Sequence, residues 1–139
     1  MQKEIEFRGK DKDNNWVHGD LIHGVGSKKN NLYILPLVHN LAHIPNCHHL
    51  DGVKIENETV CQFTGLRDKN GVDIYEGDIV KTKYETILVL WSDKYAGFTL
   101  HSDNWACLAF FYEDLDVDKV EVIGNIHDNS FDLSYLSVS

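Results

Sequence analysis

A chain of 139 residues, 42% apolar and 25% charged, has room for one domain or for two small lobes sharing a core, and its composition excludes a disordered polymer. The net charge of −9 is uneven: residues 1–50 hold six Lys/Arg against five Asp/Glu, giving +1, and residues 51–139 hold seven against seventeen, giving −10. A part this acidic repels a polyanion, which argues against sequence-independent nucleic-acid binding. The longest apolar runs, such as residues 87–91, are far shorter than the ~20 residues of a membrane span. The start, MQKEIEFRGK, lacks the apolar stretch of a secretory signal. Cys47, Cys61 and Cys107 form no CxxC pair and read as reduced thiols, so the expected location is the cytoplasm.

Taken in chain order, residues 5–8 alternate apolar and polar and predict a strand, residues 11–15 a turn, and residues 16–22 the returning strand of a hairpin. Residues 24–31 read as a flexible loop and residues 32–35 as a third strand. Glycines interrupt every apolar stripe of helical period, so no helix is predicted. Residues 59–63 are expected to be extended. Residues 68–71 should turn, because both Asn70 and Gly71 tolerate positive φ. Strands are predicted at 79–83, 86–91, 97–101, 107–112 and 119–123. Five short strands in this part suggest a small barrel with Gly77 and Gly97 at its corners. No internal repeat is evident.

Several stretches have the residue types of a chemical site. An EF-hand requires Gly at the sixth loop position and Glu at the twelfth. A loop starting at Asp11 has Trp16 and Ile22 there, and one starting at Asp68 has Val72 at its fifth position, so neither is a calcium loop. Gly24-Val25-Gly26 precedes Ser27-Lys28-Lys29 without the spacing of a phosphate loop. His39, His43, Cys47, His48 and His49 fall within one short segment and offer enough nitrogen and sulfur ligands for zinc or another transition metal. Pro45 interrupts them, and a His-rich surface loop is the plainer reading. A metal or pH-responsive site is the alternative.

For an enzyme, a nucleophile with its base is needed. Cys61 lies in an apolar strand, where cysteine packs as a small hydrophobe. Glu76 and Asp78 flank Gly77, and i, i+2 spacing on an extended segment places both on one face. A solvated bend is the simpler reading of two acids around a glycine, with acid/base work by the pair, or a small binding pocket at the strand mouth, as the functional ones. The run 113–118 alternates acids with Leu and Val and predicts an edge strand or loop with a solvated acidic face, or a docking surface for a basic partner. Trp91, Phe98, Trp105, Phe110, Phe111 and Tyr112 are assigned to the barrel core, with one or two left for a binding face.

Gln62-Phe63-Thr64-Gly65-Leu66, Asp68-Lys69-Asn70-Gly71 and Ile74-Tyr75-Glu76-Gly77-Asp78-Ile79-Val80 together resemble the signature of the YopX-like family. Val120–His127 resembles that family's closing segment, and Phe7-Arg8 through Trp16-Val17-His18-Gly19-Asp20 its opening hairpin, so the likeness runs from about residue 5 to residue 133. No family pattern appears between Gly24 and Asp51, where the histidines lie. The resemblance implies a bacteriophage or prophage protein without known activity or catalytic residues. It also implies an irregular, oligomer-forming β lobe over residues 1–58 and an SH3-like barrel over 59–139. Residues and resemblance together lead to a mainly β, non-enzymatic accessory protein. It would assemble with itself and bind a host or phage protein; nucleic-acid binding through the barrel and metal binding are the alternatives.

Overall fold

In a computed structural model the chain is described over residues 4–36, 52–102 and 115–128, with 109–110 described by backbone alone. It is mainly β, as expected, and helical structure among the described residues is limited to 3-10 turns at Gly26–Lys28, Asn57–Thr59 and Val117–Lys119. Among them no helix is long and apolar enough to cross a membrane. The chain divides into two compact units, Met1–Gln62 and Phe63–Ser139.

In the first unit, β1 (Phe7–Lys10), β2 (Trp16–His23), β3 (Leu32–Pro36) and β4 (Val53–Ile55) form an antiparallel meander. The beginning of β5 (Cys61–Arg67) pairs with the other side of β1. Ile34 and Ile55 are its buried aliphatic side chains. Gly9 makes this packing possible, since a Cβ there would lie 2.5 Å from Ile55 Cδ1. The chain leaving β4 is stitched back onto β1. Glu56 N–H donates to the Lys10 carbonyl at 2.8 Å, Lys10 N–H donates to Thr59 Oγ1 at 2.8 Å, and that hydroxyl donates to the Glu56 carbonyl at 2.7 Å.

In the second unit, the end of β5 pairs with β6 (Asp73–Tyr75) across a register shift. Gly65, at φ +90°, lies in that shift, and Thr64 Oγ1 donates across it to the Ile74 carbonyl at 2.7 Å. There follow β7 (Asp78–Lys81), β8 (Thr86–Ser92), β9 (Gly97–His101), β10 (Ala109–Phe110) and β11 (Glu121–Asn125), in the spatial order β10-β9-β8-β7-β11. The last strand thus returns to the free side of the first. Ile74, Val80, Ile87, Val89, Phe98, Leu100 and Val120 are the core, with Leu66, Leu115, Val117 and Val122 packed against it. Ile79, Leu88 and Thr99 point to the opposite face and are buried too. Double burial explains why β8 reads as an unbroken apolar run instead of alternating.

Some expectations need correction. Among the described residues this sheet does not close into a barrel. Gly77 does turn a corner, at φ +82°, but the second corner belongs to Ala96, at φ +52°, and Gly97 merely opens β9. In the Asn70-Gly71 step only the glycine has positive φ. Of the edge strand or loop expected for the acidic run, the described part is the loop with its acids solvated: Asp116 and Asp118 are exposed, Leu115 and Val117 pack on the core, and Asp116 caps the 3-10 turn by accepting from Asp118 N–H at 3.2 Å.

A repeat is present after all. In residues 11–15, Asp11 Oδ1 accepts from the N–H groups of Asp13 and Asn15 at 2.9 and 3.0 Å, and Asn14 has φ +65°. In residues 68–72, Asp68 Oδ1 accepts from Asn70 and Val72 at 2.8 and 2.9 Å, and Gly71, at the matching position, has φ +80°. Both turns also close with the same two backbone bonds. Each is preceded by Phe-x-Gly (Phe7 and Gly9; Phe63 and Gly65) and followed by Gly-Asp and two aliphatic residues (Gly19 to Ile22; Gly77 to Val80). Single-residue differences in spacing hide the match in the sequence.

Candidate functional site

The predicted site residues separate. Asp78 is 1% exposed, and its Oδ2 accepts the Tyr75 N–H at 2.8 Å, closing the bend from β6 to β7. The solvated-bend reading therefore fails for this residue. Gly77, in the left-handed region, also breaks the extended parity that would have placed Glu76, half-buried, on the same face as Asp78. Burial and commitment to a backbone donor make Asp78 a brace. His39, His43, Cys47, His48 and His49 lie between β3 and β4, outside the described residues. Among the described residues no group of three or more His, Cys, Asp or Glu is placed to hold a metal. Cys61 is buried in β5, with Sγ 3.2 Å from the Thr59 carbonyl oxygen, as a packed strand cysteine should be.

Asp68, central to the signature block, is 6% exposed. Besides holding its own turn, it accepts the Val122 N–H on Oδ2 at 2.9 Å, and Lys69 N–H donates to the Val120 carbonyl at 3.1 Å. The hairpin turn and strand β11 are thereby joined. Burial alone would push the Asp68 carboxyl up. The N–H donors of Val122, Val72 and Asn70 and the charge of Lys69 more than reverse that, and hold it below its ordinary value.

Two surface features remain as candidates for binding. In the first unit an open cleft of about 400 Å³ is lined by Asp11, Lys12, Asp13, Val53, Lys54 and Glu56. Its charges are mixed, and the Asp11 carboxylate already serves its own turn. The second is the tip of the β8–β9 hairpin. Trp91, at the end of β8, is 43% exposed, yet its ring packs edge-on against buried Phe98, with centroids 5.2 Å apart. Its Nε1–H donates to Asp93 Oδ1 at 3.0 Å. Tyr95 is 48% exposed, its N–H donates to Ser92 Oγ at 3.3 Å, and the Lys94 ammonium sits 5.3 Å over its ring. Ala96 follows in the left-handed region, which a residue with a Cβ rarely occupies.

The turn is thus fixed by side chains at both ends and displays two large rings. Trp91 is one of the aromatic residues left over from the core for a binding face, although its ring still packs on Phe98. The signal available for that was its position as the last apolar residue before the turn-forming Ser92-Asp93-Lys94.

The signature hairpin, the Asp68 clasp and the returning strand all fall within a stretch that one family describes. The model of the YopX protein family matches residues 6–133. The chain belongs to the YopX family. No curated protein matches it. Both copies of the repeated turn, the hairpin tip and the Val120–Asn125 segment lie inside the YopX match.

Proposed function

We propose that this YopX-family chain is a non-enzymatic, self-assembling binding module, an accessory protein of a bacteriophage or prophage that works in the host cytoplasm. The observation that carries the binding role is the β8–β9 tip, where Trp91 and Tyr95 are both nearly half exposed on a turn held by Asp93 and Ser92. Rigid aromatic side chains lose little entropy on docking and are the commonest anchors of protein interfaces. Self-assembly is supported by the first unit. Among its described residues only Ile34, Ile55 and Cys61 are buried hydrophobics, whereas Ile5, Ile22 and Val25 stand exposed. Exposed apolar side chains of this kind gain stability when a second copy covers them.

The test is to induce the tagged full-length chain in its host and identify what co-purifies at physiological salt. A protein recovered near stoichiometry, and lost from the Trp91→Ala/Tyr95→Ala double variant, is the expected result. Recovery of the chain alone would sink the partner, and a monomer by light scattering would sink self-assembly. Recovery of nucleic acid would replace this reading with the aromatic-stacking one, which the −10 charge of residues 51–139 disfavours.

A further inference from the structure

We infer that the hairpin tip takes a cationic occupant: an Arg/Lys-rich segment of a protein partner, whose side chains settle on the Tyr95 and Trp91 rings beside Asp93. The inference rests on the docking role proposed above and adds the chemistry of the partner. Three observations point the same way.

The first is that an ammonium already occupies one ring. Lys94 lies 5.3 Å over Tyr95, and at the other end of β8 Lys83 lies 5.6 Å over Tyr84, which is 83% exposed. The Tyr95 and Tyr84 faces are therefore open to a cation, with the chain's own lysines standing in for a ligand. The second is that Asp93 is exposed and adjoins the Trp91 ring edge through the Nε1–H bond. A cation approaching the indole meets a carboxylate whose remaining acceptor positions face solvent. The third is the −10 charge of residues 51–139, which steers a basic partner inward and repels an acidic one. The left-handed Ala96 keeps the turn in a conformation that its sequence alone would not favour.

The test uses the full-length chain, isotopically labelled and titrated with a short peptide alternating Arg and Gly. A peptide with Glu in place of Arg and an oligo-dT strand serve as comparators. The Arg peptide should shift the Trp91 indole N–H and the amides of residues 92–97, and added salt should weaken it. Trp91→Ala and Tyr95→Ala should each weaken binding by about 3- to 10-fold, the range of one exposed or partly desolvated cation–π contact. Tyr95→Ala changes a ring on the turn, outside β8 and the sheet core, so it keeps the test open should Trp91→Ala unfold the sheet. Lys94→Ala should tighten the peptide a few-fold, because it frees the ring face and removes a like charge.

Equal binding by the ring variants, shifts confined to other residues, or preference for the Glu peptide would overturn the inference. Weaker binding of oligo-dT by Lys94→Ala, with no response to the Arg peptide, would assign the tip to nucleic acid instead. If a co-purified partner needs Trp91 and Tyr95 but is not displaced by the Arg peptide, the docking role stands and the cationic occupant fails.

Discussion

Asp68 shows how much one side chain can hold. Its two oxygens take the N–H groups of Asn70, Val72 and Val122, so its loss orphans donors both in its own turn and on β11. Asp68→Ala should cost roughly 2–4 kcal/mol in urea unfolding, the scale of charge-assisted bonds to partly buried donors. Asp11→Ala, which removes the equivalent turn bonds at an exposed site, should cost roughly 0.5–1.5 kcal/mol. Equal losses would mean that the Val122 bond contributes nothing. The pH dependence follows from the sign of the shift. Asp68 has a folded pKa below the ordinary 3.8, so on acidification the unfolded chain takes up the proton first. Its stabilisation is complete above the unfolded value and is lost as pH falls through the folded one. Asp68→Asn should therefore be less stable at neutral pH and show a shallower acid limb than the parent; parallel limbs would contradict the assignment.

The hairpins divide the labour of specifying the fold between side chain and backbone. Both repeated turns combine an Asp that gathers N–H groups with a left-handed residue three positions later, the arrangement that joins a type I turn to antiparallel strands. Strand positions and turn chemistry were legible for this reason: β2, β3, β8 and β9 lie within a residue or so of their predicted spans. The three-residue β4 was missed because Val53-Lys54-Ile55 is too short to show a period. The corner at Ala96 was missed because local propensity assigns it to the neighbouring glycine. Close approach of strands is a further constraint at this scale. A Cβ at Gly19, where φ is +155°, would lie 2.0 Å from the Leu35 carbonyl oxygen. Gly19→Ala adds this clash to an unfavourable φ and should therefore destabilise by more than about 2 kcal/mol, read as a lowered denaturation midpoint. Gly71→Ala, with positive φ but nothing within 4 Å of the added Cβ, should cost only the ~1–2 kcal/mol of left-handed strain. A larger loss at position 71 than at 19 would mean that strain, not the β2–β3 approach, dominates.

For the molecule as a whole, charge is allotted unevenly. Residues 1–50 are close to neutral and residues 51–139 carry −10, so copies that associate through the first part avoid most of their mutual repulsion. Raising salt should accordingly leave self-association, measured by light scattering, within a few-fold of its low-salt strength, while it weakens the Arg peptide at the β8–β9 tip. A self-association that strengthens steeply with salt would place the contact on the acidic part instead.

The sequence alone determined the β class, most strand positions, the absence of a recognisable nucleophile motif and the family signature. Each of these rests on local chemistry: side-chain alternation, turn residues and motif spacing. Tertiary structure decided which polar groups serve the fold and which face solvent. Asp78 read as one of two solvated acids around a bend until burial and the Tyr75 N–H committed it to bracing. Which of the aromatic residues would be left over from the core was open until the place of Trp91 at the end of β8 left its ring partly in solvent. Exposure depends on what packs over a residue from distant parts of the chain, and no local pattern encodes that.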